Sequence, residues 1–369
     1  MKDPRVDKLA DLLVNYSINV QPEQKIMIHG ELGGEPLMAA VMRKCLQVGA
    51  YPFVIPYTAD YFESVFRYAK PEMFEGIFAP YKHLVETYDA RIRILGELNT
   101  KEASQFDPDL VSKFYAEGGR ISKIMLNREA KGKMKWVLSL FPTNAYAQDA
   151  NMTLMDYEDF VYSACMPDPD DPVGYWKKVE AHQAKAIEWL KGKKSVHVTA
   201  PGTDLTLSIE GRPFVNCACQ VNVPDGEIFT SPVENSANGY VHYTYPTLYE
   251  GFEVDNVRLE FRDGKVVKAT ADKNEDFLLK KLDTDAGARY LGEFAIGTNE
   301  GINRFTGQIL FDEKIGGSFH MAVGHGYPES LSENESAIHW DMICDLRNGG
   351  EITVDGELFY KDGAFVIDF

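Results

Sequence analysis

The first half of the sequence alternates short apolar runs with stretches of helical spacing, and this alternation constrains the fold more than any other feature. Runs typical of buried strands occur at 25–30, 51–57, 90–98 and 136–143. Helical patterns lie between them, as from Pro36 to Leu46, where a proline occupies the first turn and Gly49 follows the end. Strands separated by helices of this length predict a largely parallel sheet that is covered on both faces.

The second half changes to closely spaced strand patterns. A proline-rich loop is predicted at 167–174 and a helix at 176–192, before the change. Asp-Gly pairs at 263–264, 355–356 and 362–363 separate β-prone segments and predict hairpins. We therefore expect an α/β N-terminal domain at 1–192 and a strand-rich α+β C-terminal domain at 193–369.

Charge and composition exclude several function classes. The 369 residues carry a formal charge of -18, and such a surface repels nucleic acid and anionic membranes. No stretch approaches the roughly 20 apolar residues that span a bilayer, and the N-terminus lacks a signal-peptide pattern. The five cysteines have no disulfide or zinc-site spacing, which favours buried free thiols. We expect a cytoplasmic protein with no nucleic-acid or membrane partner.

A glycine-rich segment at 29–35 lies between a predicted strand and a predicted helix, where phosphate-binding loops occur. It matches neither G-x-G-x-x-G nor G-K-[ST], and Glu31 and Glu35 would repel a phosphate. A tight turn is the better interpretation.

Four segments of the second half place carboxylates or imidazoles in apolar or turn-like surroundings. Glu227 follows an Asp-Gly turn, where a solvated residue is the usual outcome. Glu293 is the one charge in a run that would suit a buried strand, so it must reach solvent or a partner such as a metal. His320 lies between apolar neighbours, and a core histidine is the simpler interpretation of it alone.

The fourth segment contains His339 and Asp341, two residues apart. Residues at this spacing share one face of a strand, while Trp340 and Met342 would pack on the other. Together the segments offer three or four carboxylates and two imidazoles, which suits divalent ions. Zn²⁺ or Co²⁺ matches imidazole best, and Mg²⁺ or Mn²⁺ matches it less well. A catalytic zinc needs three protein ligands, so the surplus favours two ions.

These segments resemble the thermophilic metallo-aminopeptidases, the family of aminopeptidase T, aminopeptidase S and PepS. The resemblance covers nearly the whole chain, including KIMIHG, FVYSACMPDPDDPVGYW at 160–176 and the four C-terminal segments. The metal ligands that it implies are Glu227, Glu293, Glu313, His320, His339 and Asp341. It further implies that Glu293 bridges the ions and that Tyr327 lines the active site. The segment after Glu313 is longer than the family's, which leaves open whether Glu313 binds a metal or supports residues that do.

The resemblance also implies the activity. It predicts a metallo-aminopeptidase that hydrolyses the N-terminal peptide bond of peptides through a water activated by two metal ions. Glu293 or Glu313 would transfer the proton of that water, and Tyr327 would stabilise the oxyanion. The expected partners are peptides with a free N-terminus and, as a homodimer, a second copy of the chain.

Two alternatives remain at this point. The same ligands could serve another dinuclear hydrolase, such as a dipeptidase, an amidase or a phosphoesterase. The metals could also be structural in a non-catalytic binding protein, although the closed, cysteine-rich ligand set typical of structural zinc is absent from the sequence.

Overall fold

The computed structural model describes residues 3–367, which form two compact units. Unit 1 comprises the described residues up to Val173 together with Cys219–Pro224. Unit 2 comprises Gly174–Ala218 and the described residues from Asp225 onward. The domain boundary expected at 192/193 stays a prediction.

Unit 1 contains a parallel sheet with helices on both faces. Its strands are β1 (Lys25–Glu31), β2 (Tyr51–Tyr57), β3 (Ala90–Leu95), β4 (Lys135–Leu140) and β8 (Asn222–Val223). Its helices are α1 (Pro4–Asp11), α2 (Glu35–Val48), α3 (Tyr61–Tyr68), α4 (Phe74–Thr87), α5 (Pro108–Glu129), α6 (Asn144–Asp149) and α7 (Leu154–Cys165). The strand order is β2-β1-β3-β4-β8, and every pairing is parallel. The predicted α/β domain with a parallel sheet is therefore confirmed.

Local chemistry explains where these helices begin and end. Asp3 caps α1 by accepting a hydrogen bond from the Arg5 N–H, and Pro4 fills the first position, where no N–H is needed. Gly49 ends α2 with a φ of 89°, which glycine adopts without strain. Asp107 caps α5 by accepting a hydrogen bond from the Asp109 N–H, and the helix then continues to Glu129.

The glycine-rich segment after β1 forms a close backbone crossing. A Cβ on Gly33 would lie 2.3 Å from the Gly96 carbonyl oxygen, so only glycine fits there. The Glu31 carboxylate pairs with Arg93 and accepts a hydrogen bond from the Gly96 N–H at 3.0 Å. A carboxylate thus occupies this turn.

Unit 2 is strand-rich, as predicted. Its helices are α8 (Pro172–Leu190), which begins two residues before the unit, α9 (Glu275–Leu282) and α10 (Ile309–Asp312). Its first strands are β5 (Ser195–Ala200), β6 (Thr203–Ser208), β7 (Val215–Cys217), β9 (Glu227–Thr230), β10 (Asn238–His242), β11 (Thr247–Tyr249), β12 (Phe252–Val254), β13 (Arg258–Arg262) and β14 (Lys265–Thr270). The others are β15 (Leu291–Gly297), β16 (Ser318–Gly324), β17 (His339–Asp345), β18 (Glu351–Val354), β19 (Glu357–Lys361) and β20 (Ala364–Phe365).

These strands form two larger sheets and a hairpin. The eight-stranded sheet has the order β14-β13-β10-β6-β5-β18-β19-β20, and the five-stranded sheet has the order β17-β16-β15-β9-β7. Strands β11 and β12 pair separately. The predicted Asp-Gly hairpins are confirmed: Asp263 and Gly264 have φ angles of 48° and 80°, as a tight turn requires.

The core of unit 2 contains side chains from both larger sheets. Phe319, Met321, Trp340 and Met342 belong to the same buried cluster as Val198 of the eight-stranded sheet. Because side chains alternate along a strand, the residues between them on β16 and β17 project from the other face. Among residues 3–367, no helix is long and apolar enough to cross a membrane.

Candidate metal centre

The predicted site residues of the strands lie on the face of the five-stranded sheet that is turned away from the core. On β15 the core receives Phe294 and Ile296, so Glu293 projects the other way. The same alternation places His320 of β16 on this face. It places His339 and Asp341 of β17 there as well, as the spacing in the sequence predicted.

The strand register brings side chains from distant parts of the sequence together. Ala322 of β16 pairs with Glu293 on one side and with Asp341 on the other. Gly324 pairs with His339. The small residues Ala322 and Gly324 leave room in which the longer neighbouring side chains converge.

Six predicted ligands form three overlapping groups, and within each group the potential ligand atoms lie within 4.8 Å of one another. We call them group 1 (Glu227, Glu293 and His320), group 2 (Glu293, His339 and Asp341) and group 3 (Glu313, His320 and Asp341). Glu313 follows α10 and reaches the same cluster.

Glu293 lies at the centre of this arrangement. Its Oε1 is 3.2 Å from His320 Nε2, and its Oε2 is 3.6 Å from His339 Nε2. His339 Nε2 is also 3.3 Å from Asp341 Oδ2. The two oxygens of one carboxylate therefore face two different imidazoles.

Several buried atoms of the cluster have no hydrogen-bond partner among the described residues. They are Glu227 Oε2, His320 Nδ1 and Asp341 Oδ1. Glu227 Oε2 lies 3.4 Å from His320 Nε2, within ion-pair range, but makes no hydrogen bond. Buried polar atoms are rarely left unsatisfied without a reason, and these are oxygen and nitrogen donors of the kind that bind divalent ions. The residues therefore fit a divalent metal.

Without an ion, the charges of the cluster are balanced partly by protons. Burial opposes protonation of His320, but its hydrogen bond to Glu293 and the nearby carboxylates raise its pKa to about 9. Burial also opposes protonation of His339, but the charge and hydrogen bond of Asp341 raise its pKa to about 10. Metal ligation requires neutral imidazole, so binding of the metal must release protons.

Backbone groups hold His339 and Asp341 in place. His339 Nδ1 donates to the carbonyl of His325 at 2.7 Å, which leaves Nε2 facing the cluster. Thr247 Oγ1 donates to the Asp341 carbonyl at 2.9 Å and accepts from Trp340 Nε1 at 2.7 Å. Such outer contacts orient metal-binding side chains.

Tyr327 lies beside the cluster, in the segment that follows β16. Its ring centroid is 5.0 Å from that of His339 and 5.8 Å from that of Phe229. Burial, together with the charges of Glu293 and Asp341, raises the pKa of Tyr327 well above its usual range. The phenol therefore stays protonated and can act as a hydrogen-bond donor.

Sequence reasoning missed Lys314, which is buried between carboxylates of the cluster. Its Nζ is 3.1 Å from Glu227 Oε1, bonds to Glu313 Oε1 and lies 4.0 Å from Asp225 Oδ1. Cys217, interpreted as an ordinary thiol, groups with Asp225 and Glu227. The one available signal was a lysine within the otherwise mostly apolar and glycine-rich run that leads to His320.

Known proteins with similar sequences share nearly the full length of the chain. The family model described as Thermophilic metalloprotease (M29) matches residues 2–365. Aminopeptidase 2 of Geobacillus stearothermophilus is 27% identical, over 99% of this chain and 98% of that protein. Aminopeptidase T of Thermus thermophilus is 24% identical, over 97% of this chain and 95% of that protein.

Solved structures show the same fold. The wild-type AmpT of Thermus thermophilus superposes with a TM-score of 0.86 and 21% identity, over 99% of both chains. A 2,5-dihydroxypyridine dioxygenase of Pseudomonas putida has a TM-score of 0.60 and 14% identity, over 98% of this chain and 97% of that chain. A fold shared with a dioxygenase does not by itself specify the reaction, which depends on the site.

Proposed function

Since this chain belongs to the thermophilic metalloprotease (M29) family and is a metallo-aminopeptidase, we propose that it works with two divalent ions, held by the residues of groups 1, 2 and 3. In this proposal Glu227, Glu293, Glu313, His320, His339 and Asp341 are the ligand set. Peptides are the substrates, and the bond cleaved is the one that follows the N-terminal residue.

The observation that carries the two-ion proposal is the position of Glu293 in both groups. Its Oε1 faces His320 and its Oε2 faces His339, so each oxygen of this carboxylate would be available to a different ion. The charges also support two ions, because the four negative charges of the ligand carboxylates balance the four positive charges of two divalent ions. The two imidazoles favour Zn²⁺ or Co²⁺ over Mg²⁺ or Mn²⁺.

Divalent ions in this position supply Lewis-acid polarisation of the scissile carbonyl and an acidified water. The protein contributes the remaining steps. Glu293 or Glu313 accepts the proton of the attacking water and passes it to the leaving amine. Tyr327 donates a hydrogen bond to the developing oxyanion.

The assay compares leucine p-nitroanilide with its N-acetylated form, alongside the metal content per subunit. We expect two ions per subunit, hydrolysis of the free-amine substrate alone, loss of activity on chelation and recovery when Zn²⁺ or Co²⁺ is added back. Equal rates on the acetylated substrate would favour an amidase. Activity on dipeptides but not on longer peptides would favour a dipeptidase. Full activity with one ion or none would exclude the two-ion proposal.

We further propose that the chain is a cytoplasmic homodimer. Within the described sheet of unit 1, β2 is an edge strand with exposed Tyr51 and Phe53, a surface suited to association. The five cysteines are free thiols, four of them buried, which suits a reducing compartment. Light scattering coupled to gel filtration tests the dimer, and a monomeric mass at micromolar concentration would exclude it.

A further inference from the structure

Lys314 is the buried charge of the metal centre that the mechanism leaves unused. Its side chain has no exposed surface, and it is the one lysine among residues 3–367 that is fully buried. Burying an ammonium group is costly unless carboxylates compensate for the lost water. The position of this lysine therefore calls for a specific reason.

The ammonium group is surrounded by carboxylates. It donates to Glu227 Oε1 at 3.1 Å and to Glu313 Oε1, and Asp225 Oδ1 lies 4.0 Å away. Two of its three N–H donors bind the two glutamates, and Asp225, beyond hydrogen-bond distance, contributes a compensating negative charge. With no exposed surface, Lys314 cannot touch a substrate, so it acts through these carboxylates.

The contact with Glu227 decides which carboxylate oxygen is available to a metal. Oε1 is occupied by Lys314, whereas Oε2 has no hydrogen-bond partner and lies 3.4 Å from His320 Nε2. Rotation of the carboxylate would break the bond to the ammonium. Lys314 therefore keeps Oε2 turned toward group 1.

Hydrogen bonds to the backbone fix the positions of Lys314 and Asp225. The Asn299 N–H donates to the Lys314 carbonyl at 3.1 Å, and Asn299 Nδ2 donates to the Asp225 carbonyl at 2.8 Å. The Lys314 N–H donates to the Phe311 carbonyl at 3.0 Å. One asparagine thus binds both segments that supply charges around Glu227.

The charges fit this role. Lys314 and Asp225 cancel each other, so that the four ligand carboxylates remain to balance two divalent ions. Lys314 makes no hydrogen bond to a residue of group 2, and its charge acts on Asp341 of that group only at longer range.

We propose that Lys314 is a positioning residue that orients Glu227 and thereby selectively tightens the binding of the ion held by Glu227, Glu293 and His320. This inference rests on the two-ion function proposed above. Changing a residue that orients a metal ligand typically weakens binding by about 10- to 100-fold. Loss of Lys314 weakens the binding of the group 1 ion by this amount and leaves the affinity for the group 2 ion unchanged.

The test is the stepwise binding of Co²⁺ to the chelated full-length protein, followed by calorimetry and by the visible absorption of the bound cobalt. We expect Lys314→Met to weaken one binding step by about 10- to 100-fold, to alter the spectrum of that ion alone and to leave the other step as in the wild type. Lys193→Met is the matched control, because Lys193 is also largely buried and paired, with Glu357, but lies outside the cluster. It should bind both ions normally.

A purely structural lysine would lower the melting temperature without changing the affinity or spectrum of one ion. If Lys314→Met does not fold, Lys314→Met/Glu313→Gln keeps the net buried charge and is compared with Glu313→Gln alone. Unchanged affinities and spectra in the variant that folds would overturn the inference. A wild-type protein that binds only one Co²⁺ ion would instead overturn the two-ion function, whatever the variants do.

Discussion

Replacing the shared ligand Glu293 with glutamine separates its cost to the metal-free protein from its contribution to metal binding. Glutamine preserves the volume but replaces one carboxylate oxygen with an amide N–H group, which cannot bind a metal. Glu293 is 4% exposed, and burial raises its pKa. Burial disfavours the ionised group, whereas its contacts with protonated His320 and His339 favour it, so Glu293→Gln should change the stability of the metal-free protein less than that of the metal-bound protein.

In the metal-bound protein Glu293→Gln also removes a metal ligand, so the loss of stability should be larger there. An ion present at 100 times its Kd stabilises the folded state by about 2.7 kcal/mol, so two ions contribute about 5 kcal/mol. Unit 2 has about 190 residues, for which 1 kcal/mol corresponds to about 2–4 °C in melting temperature. Metal should therefore raise the wild-type Tm by about 10–20 °C. Because both groups lose the same ligand, the rise in Glu293→Gln should be less than half as large.

The measurement is thermal unfolding of the chelated protein with and without added Zn²⁺, together with metal content and leucine p-nitroanilide hydrolysis. Glu234→Gln is a suitable control, because Glu234 is in the same unit and pairs with Arg212, away from the metal groups. A Glu293→Gln protein that retained two ions, the wild-type rise in Tm and full activity would refute the assignment of Glu293 as the bridging ligand.

Three further predictions test other parts of the molecule. Tyr327→Phe should lower kcat by about 10²- to 10³-fold without loss of metal, since it removes one oxyanion donor; unchanged kcat would exclude that role. Phe359→Ala should lower the unfolding free energy measured in a urea titration by about 3–5 kcal/mol, because Phe359 is fully buried and stacked on Trp189. The control Leu358→Ala, at the exposed neighbouring residue, should lower it by about 0.5 kcal/mol or less. Burial and the charge of Glu31 raise the pKa of Glu97 to about 7. The contribution of Glu97 to the unfolding free energy is therefore present below about pH 4.5 and is lost as the pH rises through 7. Glu97→Gln should flatten this decline, and a pH profile of stability parallel to that of the wild type would contradict the shift.

Local sequence patterns were sufficient to predict the first strands and helices, the Asp-Gly hairpins and the two faces of β17. The first strands and helices occur where the apolar periodicity placed them, and the Asp-Gly turns join strands as expected. His339 and Asp341 project from one face of β17 while Trp340 and Met342 enter the core, because side chains alternate along any strand. These features depend on neighbouring residues only.

The route of the chain between the two units was not predictable from such patterns. Residues 219–224 lie in unit 1, where β8 extends the parallel sheet beside β4, although the sequence on both sides of this segment belongs to unit 2. Two residues of strand carry almost no periodic signal. Only the pairing with β4 identifies them as part of that sheet.

The amino-acid pattern was enough to specify the α/β and strand-rich halves, the shared face of His339 and Asp341 and the resemblance that pointed to the ligands. The tertiary structure alone decided that Ala322 separates Glu293 from Asp341, that Glu293 faces two imidazoles and that Lys314 is buried against Glu227. The reason is that periodicity along a strand specifies which side a residue faces, whereas the register between strands depends on hydrogen bonds and packing among residues far apart in the chain. A charge such as Lys314 can be recognised as buried only once those distant carboxylates surround it.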